Sequence, residues 1–127
     1  MANEQILIIE DNEKNRKLMR DVLQFQGYQT LEAETGEAGV DLALAHKPDL
    51  ILMDYQLPGI NGIDAFQRIR NHAETAHIPI VAVTASAMPE DVKRMMDAGF
   101  DGFQTKPISV KGFTQAVADA LAKRSGA

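Results

Sequence analysis

Three short apolar runs without polar alternation constrain this chain more than anything else in it: Ile6-Leu7-Ile8-Ile9, Leu50-Ile51-Leu52-Met53, and Ile78 to Val83 with Pro79 near its start. A strand with one wet face alternates apolar and polar residues, so runs of this kind suit strands buried on both faces, as in a parallel sheet covered by helices. Gln29 to Ala33 and Gly102 to Thr105 are weaker strand candidates. The segments between carry helical periodicity: Leu18, Val22 and Phe25; Ala38, Leu42 and Ala45; Ile63, Phe66 and Ile69; Val92, Met95 and Met96; and last Phe113, Val117 and Leu121 with Ala116 and Ala120 alongside. Gly27 and Gly99 follow periodic segments as C′ glycines do. Thr35 and Ser109 stand where N-caps belong, and Pro89-Glu90-Asp91 reads as a first helical turn. The order is β-α five times over. It predicts an α/β fold with a single doubly wound (βα)5 parallel sheet, strand order 2-1-3-4-5, connected right-handedly.

The 127 residues are one ordinary domain, and 45% hydrophobic with 24% charged residues is a globular composition rather than a disordered one. Thirteen basic residues against 18 acidic give a net charge of −5, which offers no counterion-release drive toward nucleic acid and does not suit an anionic membrane. The absence of cysteine excludes disulfides, thiolate metal sites and cysteine nucleophiles. No basic leader opens the chain, and no apolar run reaches membrane-spanning length. A cytoplasmic setting is the expectation.

In open α/β sheets, ligands bind beyond the carboxyl ends of the strands, at the point where strand order reverses. Strand one ends in Glu10-Asp11, strand three in Asp54 and strand four in Thr84, while strand five runs into Lys106-Pro107. With order 2-1-3-4-5, three carboxylates converge at the switch point, faced by a hydroxyl and an ammonium. Unpaired carboxylates at close range repel. A hard divalent cation such as Mg²⁺ relieves this through oxygen ligation, and a lysine offsets part of the remaining charge. Carboxylate, Mg²⁺ and lysine together suit phosphoryl capture on an aspartate, which gives an acyl phosphate.

These residues resemble a known family over essentially the whole chain: the receiver domain of two-component response regulators, with its CheY-like fold. The resemblance rests on Glu10-Asp11, on Asp54 closing Leu50 to Asp54, on the loop Leu57-Pro58-Gly59-Ile60-Asn61-Gly62, and on Thr84-Ala85 and Lys106-Pro107 in register. Within the family, Lys106 to Val110 and His77 to Met88 are similar to its single-domain cell-cycle branch. The resemblance implies Asp54 as phosphoacceptor. It implies Mg²⁺ held by Asp11, Asp54 and the backbone carbonyl of Gln56, with Glu10 acting through water. It also implies Thr84 and Lys106 on the phosphoryl oxygens, Phe103 as the aromatic that turns inward with Thr84, and a cis Lys106-Pro107 bond. Glu10 departs from the commoner aspartate. Gln56 and Ser86 stand at positions that tune dephosphorylation. The implied partners are a histidine kinase or histidine phosphotransfer protein, docking near Asn12, Asn15, Arg16 and Met19, and a downstream protein on the face of helix four, strand five and helix five.

Each element alone has a plainer role. Glu10-Asp11 alone would cap a helix, Asp54 would be a turn residue, Thr84 a β-former, Lys106 a solvated charge and Phe103 core. His46, His72 and His77 read as surface residues without ligand spacing. A Mg²⁺-dependent aspartyl-phosphate phosphohydrolase needs a second acid-base aspartate two residues after the nucleophile, where Gln56 stands, and a cap domain. A flavin carrier needs a hydroxyl-rich phosphate loop after strand one, where Glu10-Asp11 stand. The expectation is a monomeric phospho-accepting switch of one receiver domain, 1–127, without an output domain and without turnover of an external substrate. A receiver excised from a hybrid histidine kinase or larger regulator is the alternative.

Overall fold

The computed structural model describes residues 4–55, 57, 60, 62–85, 88–106 and 108–126, with the side chains of 123–126 left aside. Five strands and five helices alternate through them: β1 (Gln5–Ile9), α1 (Glu13–Phe25), β2 (Gln29–Ala33), α2 (Gly36–His46), β3 (Leu50–Asp54), α3 (Gly62–Arg70), β4 (Ile80–Thr84), α4 (Pro89–Ala98), β5 (Gly102–Thr105) and α5 (Val110–Gly126). All strand pairs are parallel, in the order β2-β1-β3-β4-β5. The doubly wound fold and its strand order are those expected from the apolar runs.

The sheet divides the core in two. Leu7, Ile9, Ile51, Met53, Ile80 and Ala82 face α2, α3 and α4, where Val40, Ala43, Phe66, Ile69 and Met95 close the layer. Ile6, Ile8, Leu50, Leu52, Val81 and Val83 face α1 and α5, where Met19, Leu23, Phe113, Val117 and Leu121 close it. β3 and β4 are buried along their full length, which explains their lack of polar alternation.

Local signals behave as read at the predicted ends. The Thr35 hydroxyl accepts from Ala38 N at 3.1 Å, and the Ser109 hydroxyl from Gly112 N at 3.3 Å. Pro89 opens α4, and Gly27 and Gly99 take φ of 94° and 108°, where a side chain would be strained. β4 starts at Ile80 rather than Ile78, because Pro79 has no N–H to give the ladder.

Two helices are rotated from their expected faces. In α1 the buried residues are Met19 and Leu23; of the expected stripe, Val22 packs partly buried against the core, while Leu18 is 39% and Phe25 87% exposed. Arg16 and Arg20 reach Glu32 on β2 from the same helix, and that polar attachment sets its rotation. In α2 the buried set is Gly36, Gly39, Val40 and Ala43; of the expected stripe, Leu42 packs partly buried against the core, while Ala38 and Ala45 are exposed. A Cβ on Gly39 would collide with the side chain of Ile9, so α2 lies close on β1 at that glycine. Met96 of α4 is likewise 41% exposed, whereas Met95 is buried.

Candidate functional site

The period-two alternation of strands carries one face of the sheet into the site. Ile6 and Ile8 point toward α1 and α5, and so does the next alternate residue, Glu10. Leu50 and Leu52 lead in the same way to Asp54, and Gly102 and Gln104 to Lys106. The register Ile9↔Met53 leaves Glu10 and Asp54 as neighbours one step on, at the carboxyl ends of β1 and β3. Strand order reverses between those two strands, so an apolar face ends in a charged cluster at the switch point.

Carboxylate oxygens of Glu10, Asp11 and Asp54 all lie within 4.8 Å of one another. Glu10 and Asp54 are buried, Glu10 completely, while Asp11 is exposed at the rim. Lys106 Nζ donates to Asp54 Oδ2 at 3.0 Å and forms an ion pair with Glu10 Oε1 at 2.9 Å. Glu10 Oε2 accepts from Asn12 N at 3.1 Å. Glu10 Oε1 is buried with no well-aligned hydrogen bond among the described residues, and the Lys106 ammonium lies 2.9 Å from it. Burial pushes the Glu10 carboxyl up from its ordinary 4.5 to about 6, with the charge of Asp54 adding to it. Desolvation would depress Lys106, but its bonds to Glu10 and Asp54 outweigh it and hold the ammonium above its ordinary value. Three carboxylates against one ammonium leave the site net negative, which favours a further cation.

Thr84 ends β4, fully buried on the opposite face of the sheet, and its carbonyl accepts from Lys106 N at 2.8 Å. Phe103 pairs in register with Ala82 and packs half-buried on that same face. Thr84 and Phe103 thus share one side of adjacent strands, two residues apart along the sheet. Gln56, the Lys106-Pro107 bond, Ser86, and Pro58, Gly59 and Asn61 of the loop lie outside the described residues. Met19, expected near a docking surface, is 2% exposed and belongs to the core. Two features were not anticipated. Asn12 caps α1 by accepting from Asn15 N at 3.0 Å, a signal that its residue type and position already carried. Arg16 Nη1 donates to the Glu10 carbonyl at 3.0 Å, a contact that only the fold reveals.

The response regulator receiver domain family matches residues 6–118. The chain belongs to that family. This receiver is 42% identical over 116 residues to the polar-differentiation response regulator DivK of Brucella anthropi, covering 91% of this chain and 94% of that one. Among solved structures, the receiver superposes with a TM-score of 0.91 on a response regulator from Chloroflexus aurantiacus, at 27% identity, covering 95% of this chain and 99% of the other. It superposes with a TM-score of 0.88, at 29% identity and with the same shares covered, on the receiver domain of a Pseudomonas aeruginosa sensor histidine kinase that holds a magnesium ion in its active-site cleft. Its role is that of a receiver, a signalling switch, in a two-component phosphorelay. No helix among its described residues is long and apolar enough to cross a membrane.

Proposed function

We propose that the receiver accepts a phosphoryl group on Asp54 and uses it to switch protein binding. The observation that carries this reading is the cluster itself: a buried aspartate at the switch point, flanked by two more carboxylates and contacted by one lysine. An Asp54 carboxylate oxygen attacks the phosphorus of a phosphohistidine. The new O–P bond forms as the P–N bond breaks, and the imidazole keeps the electron pair. Lys106, already at Asp54 Oδ2, pairs with the phosphoryl oxygens as a point charge, and the Thr84 hydroxyl donates to another.

The donor set fits Mg²⁺. Its groups are hard oxygens of compatible spacing, whose combined charge one ammonium offsets only in part. Asp11 and Asp54 would hold the ion directly, joined by the Gln56 carbonyl, with Glu10 acting through water. When bound, the ion supplies positive charge that both the carboxylates and an arriving phosphoryl group require.

Phosphorylation turns the acceptor into a dianionic group beside the buried end of β4. Thr84 is drawn toward it, and Phe103, on the same face, follows into the space vacated. The change biases the face of α4, β5 and α5, where Met88, Met96 and Val110 are exposed apolar residues suited to a protein partner. The donor is a histidine kinase or histidine phosphotransfer protein, and the setting is the cytoplasm. Turnover is confined to the receiver's own acyl phosphate, because Gln56 offers no second acid-base carboxylate. The test is intact mass after incubation with acetyl phosphate. A gain of one phosphoryl group that needs Mg²⁺, is lost to hydroxylamine and is absent in Asp54→Asn supports the reading. An equal gain in Asp54→Asn overturns it.

A further inference from the structure

We infer that Arg16 is a positioning residue for the acidic cluster, holding the turn that aims Glu10 and Asp11 at Asp54. The inference rests on the reading of that cluster as a cation-dependent phosphoacceptor site. Glu10 lies one residue past the end of β1, where its N–H still pairs with the Ala33 carbonyl at 3.0 Å. Its own carbonyl oxygen is held from α1, by Arg16 Nη1 at 3.0 Å. The same guanidinium donates through Nε to Glu32 Oε1 at 3.1 Å, and its side chain is 13% exposed. Arg20 Nη1 in turn contacts both oxygens of Glu32, at 3.0 and 3.1 Å. Arg20 therefore fixes Glu32, Glu32 fixes Arg16, and Arg16 fixes the peptide between Glu10 and Asp11. That peptide sets where both carboxylates point.

A lysine has the charge but not the fork. Spanning a carbonyl on one strand and a carboxylate on the next takes two nitrogens set in a plane. Arg16 touches no reacting atom, so its effect is exerted through Glu10 and Asp11 alone.

Arg70 provides a matched control. It is a half-buried arginine that donates to the Ile78 carbonyl and to Asp101, at the other end of the sheet. Arg16→Lys, Glu32→Gln and Arg70→Lys are compared with wild type in two measurements on the full chain. The first is amide hydrogen exchange in EDTA, read at Asn12, whose N–H is held by Glu10 Oε2. The second is calorimetric titration with Mg²⁺. Arg16→Lys and Glu32→Gln are expected to speed exchange at Asn12 and to weaken Mg²⁺ about 10-fold, the usual cost of losing a residue that orients a ligand. Arg70→Lys is expected to lower the denaturation midpoint while leaving both readouts at wild-type values. Wild-type exchange and wild-type Mg²⁺ affinity in Arg16→Lys would overturn the inference, reducing Arg16 to a tie between α1 and β2. Absence of Mg²⁺ binding by the wild type would instead overturn the cation site, and the exchange data alone would then decide whether Arg16 holds the turn.

Discussion

Glu10→Gln should stabilise the metal-free protein at neutral pH, although it removes a side chain from the ion-paired centre of the site. Glu10 is completely buried beside Asp54, and its carboxyl ionises near 6 instead of 4.5. At about 1.4 kcal/mol per pH unit, the difference corresponds to roughly 2 kcal/mol. A carboxyl whose folded value is raised favours folding most while both states are protonated, below about pH 4.5. That contribution is lost as pH rises through 6, where the folded protein must carry a buried charge. Glutamine keeps the acceptor for Asn12 N and never ionises.

Urea denaturation in EDTA, at several values of pH, reads the effect directly. Wild type and Glu10→Gln should differ by no more than about half a kcal/mol at pH 4.5, and the variant should lead by about 2 kcal/mol at pH 7.5. Excess Mg²⁺ should narrow the gap, because an ion that binds only the folded state stabilises the wild type by mass action. A variant no more stable than wild type at pH 7.5 in EDTA would refute the reasoning. It would mean that Lys106 compensates fully for burying Glu10.

Three further substitutions probe other parts of the account. Lys106→Met removes the ammonium shared by Glu10 and Asp54; stability in EDTA should fall while calorimetry shows tighter Mg²⁺ binding, and weaker binding would contradict the electrostatic picture. Gly62→Ala sets a Cβ 2.8 Å from the Tyr55 carbonyl oxygen and 2.9 Å from Tyr55 Cα, next to Asp54. Overpacking of about 1–3 kcal/mol, less the roughly 1 that alanine gains in a helix, leaves a net loss of up to about 2 kcal/mol in urea denaturation, and a stabilised variant would refute the close approach. Asp101→Ala strips Ile80 N of its acceptor and Arg70 of its carboxylate. A loss of about 2–3 kcal/mol is expected in the same assay, and a neutral result would show that this network contributes nothing.

The fold was legible because its strongest signals are local or nearly so. Unalternating runs mark β1, β3 and β4, and glycines and capping hydroxyls mark helix ends. Even the weak candidates at Gln29–Ala33 and Gly102–Thr105 are strands with those bounds. What periodicity misplaced was the rotation of α1 and α2. Leu18 and Phe25 have the right spacing for a core stripe, but the helix answers to the ion pairs of Arg16 and Arg20 with Glu32, set by topology. Gly39 lies against Ile9 for a reason that no apolar pattern encodes, the absence of a Cβ. At the site, Glu10, Asp11, Asp54 and Lys106 were readable from strand ends and a known motif. The difference in burial between Glu10 and Asp11 was not, because it depends on which face each residue inherits from β1. Arg16 joins residues on α1, β1 and β2, and no short stretch of sequence holds that arrangement.

The most direct test of the account is the position of the phosphoryl group itself. The chain is incubated with acetyl phosphate and Mg²⁺, reduced with borohydride to convert any acyl phosphate to its alcohol, digested and mapped by mass spectrometry. The account predicts homoserine at position 54 and unmodified carboxylates at Glu10 and Asp11. Reduction at Glu10 or Asp11 with Asp54 intact would contradict it.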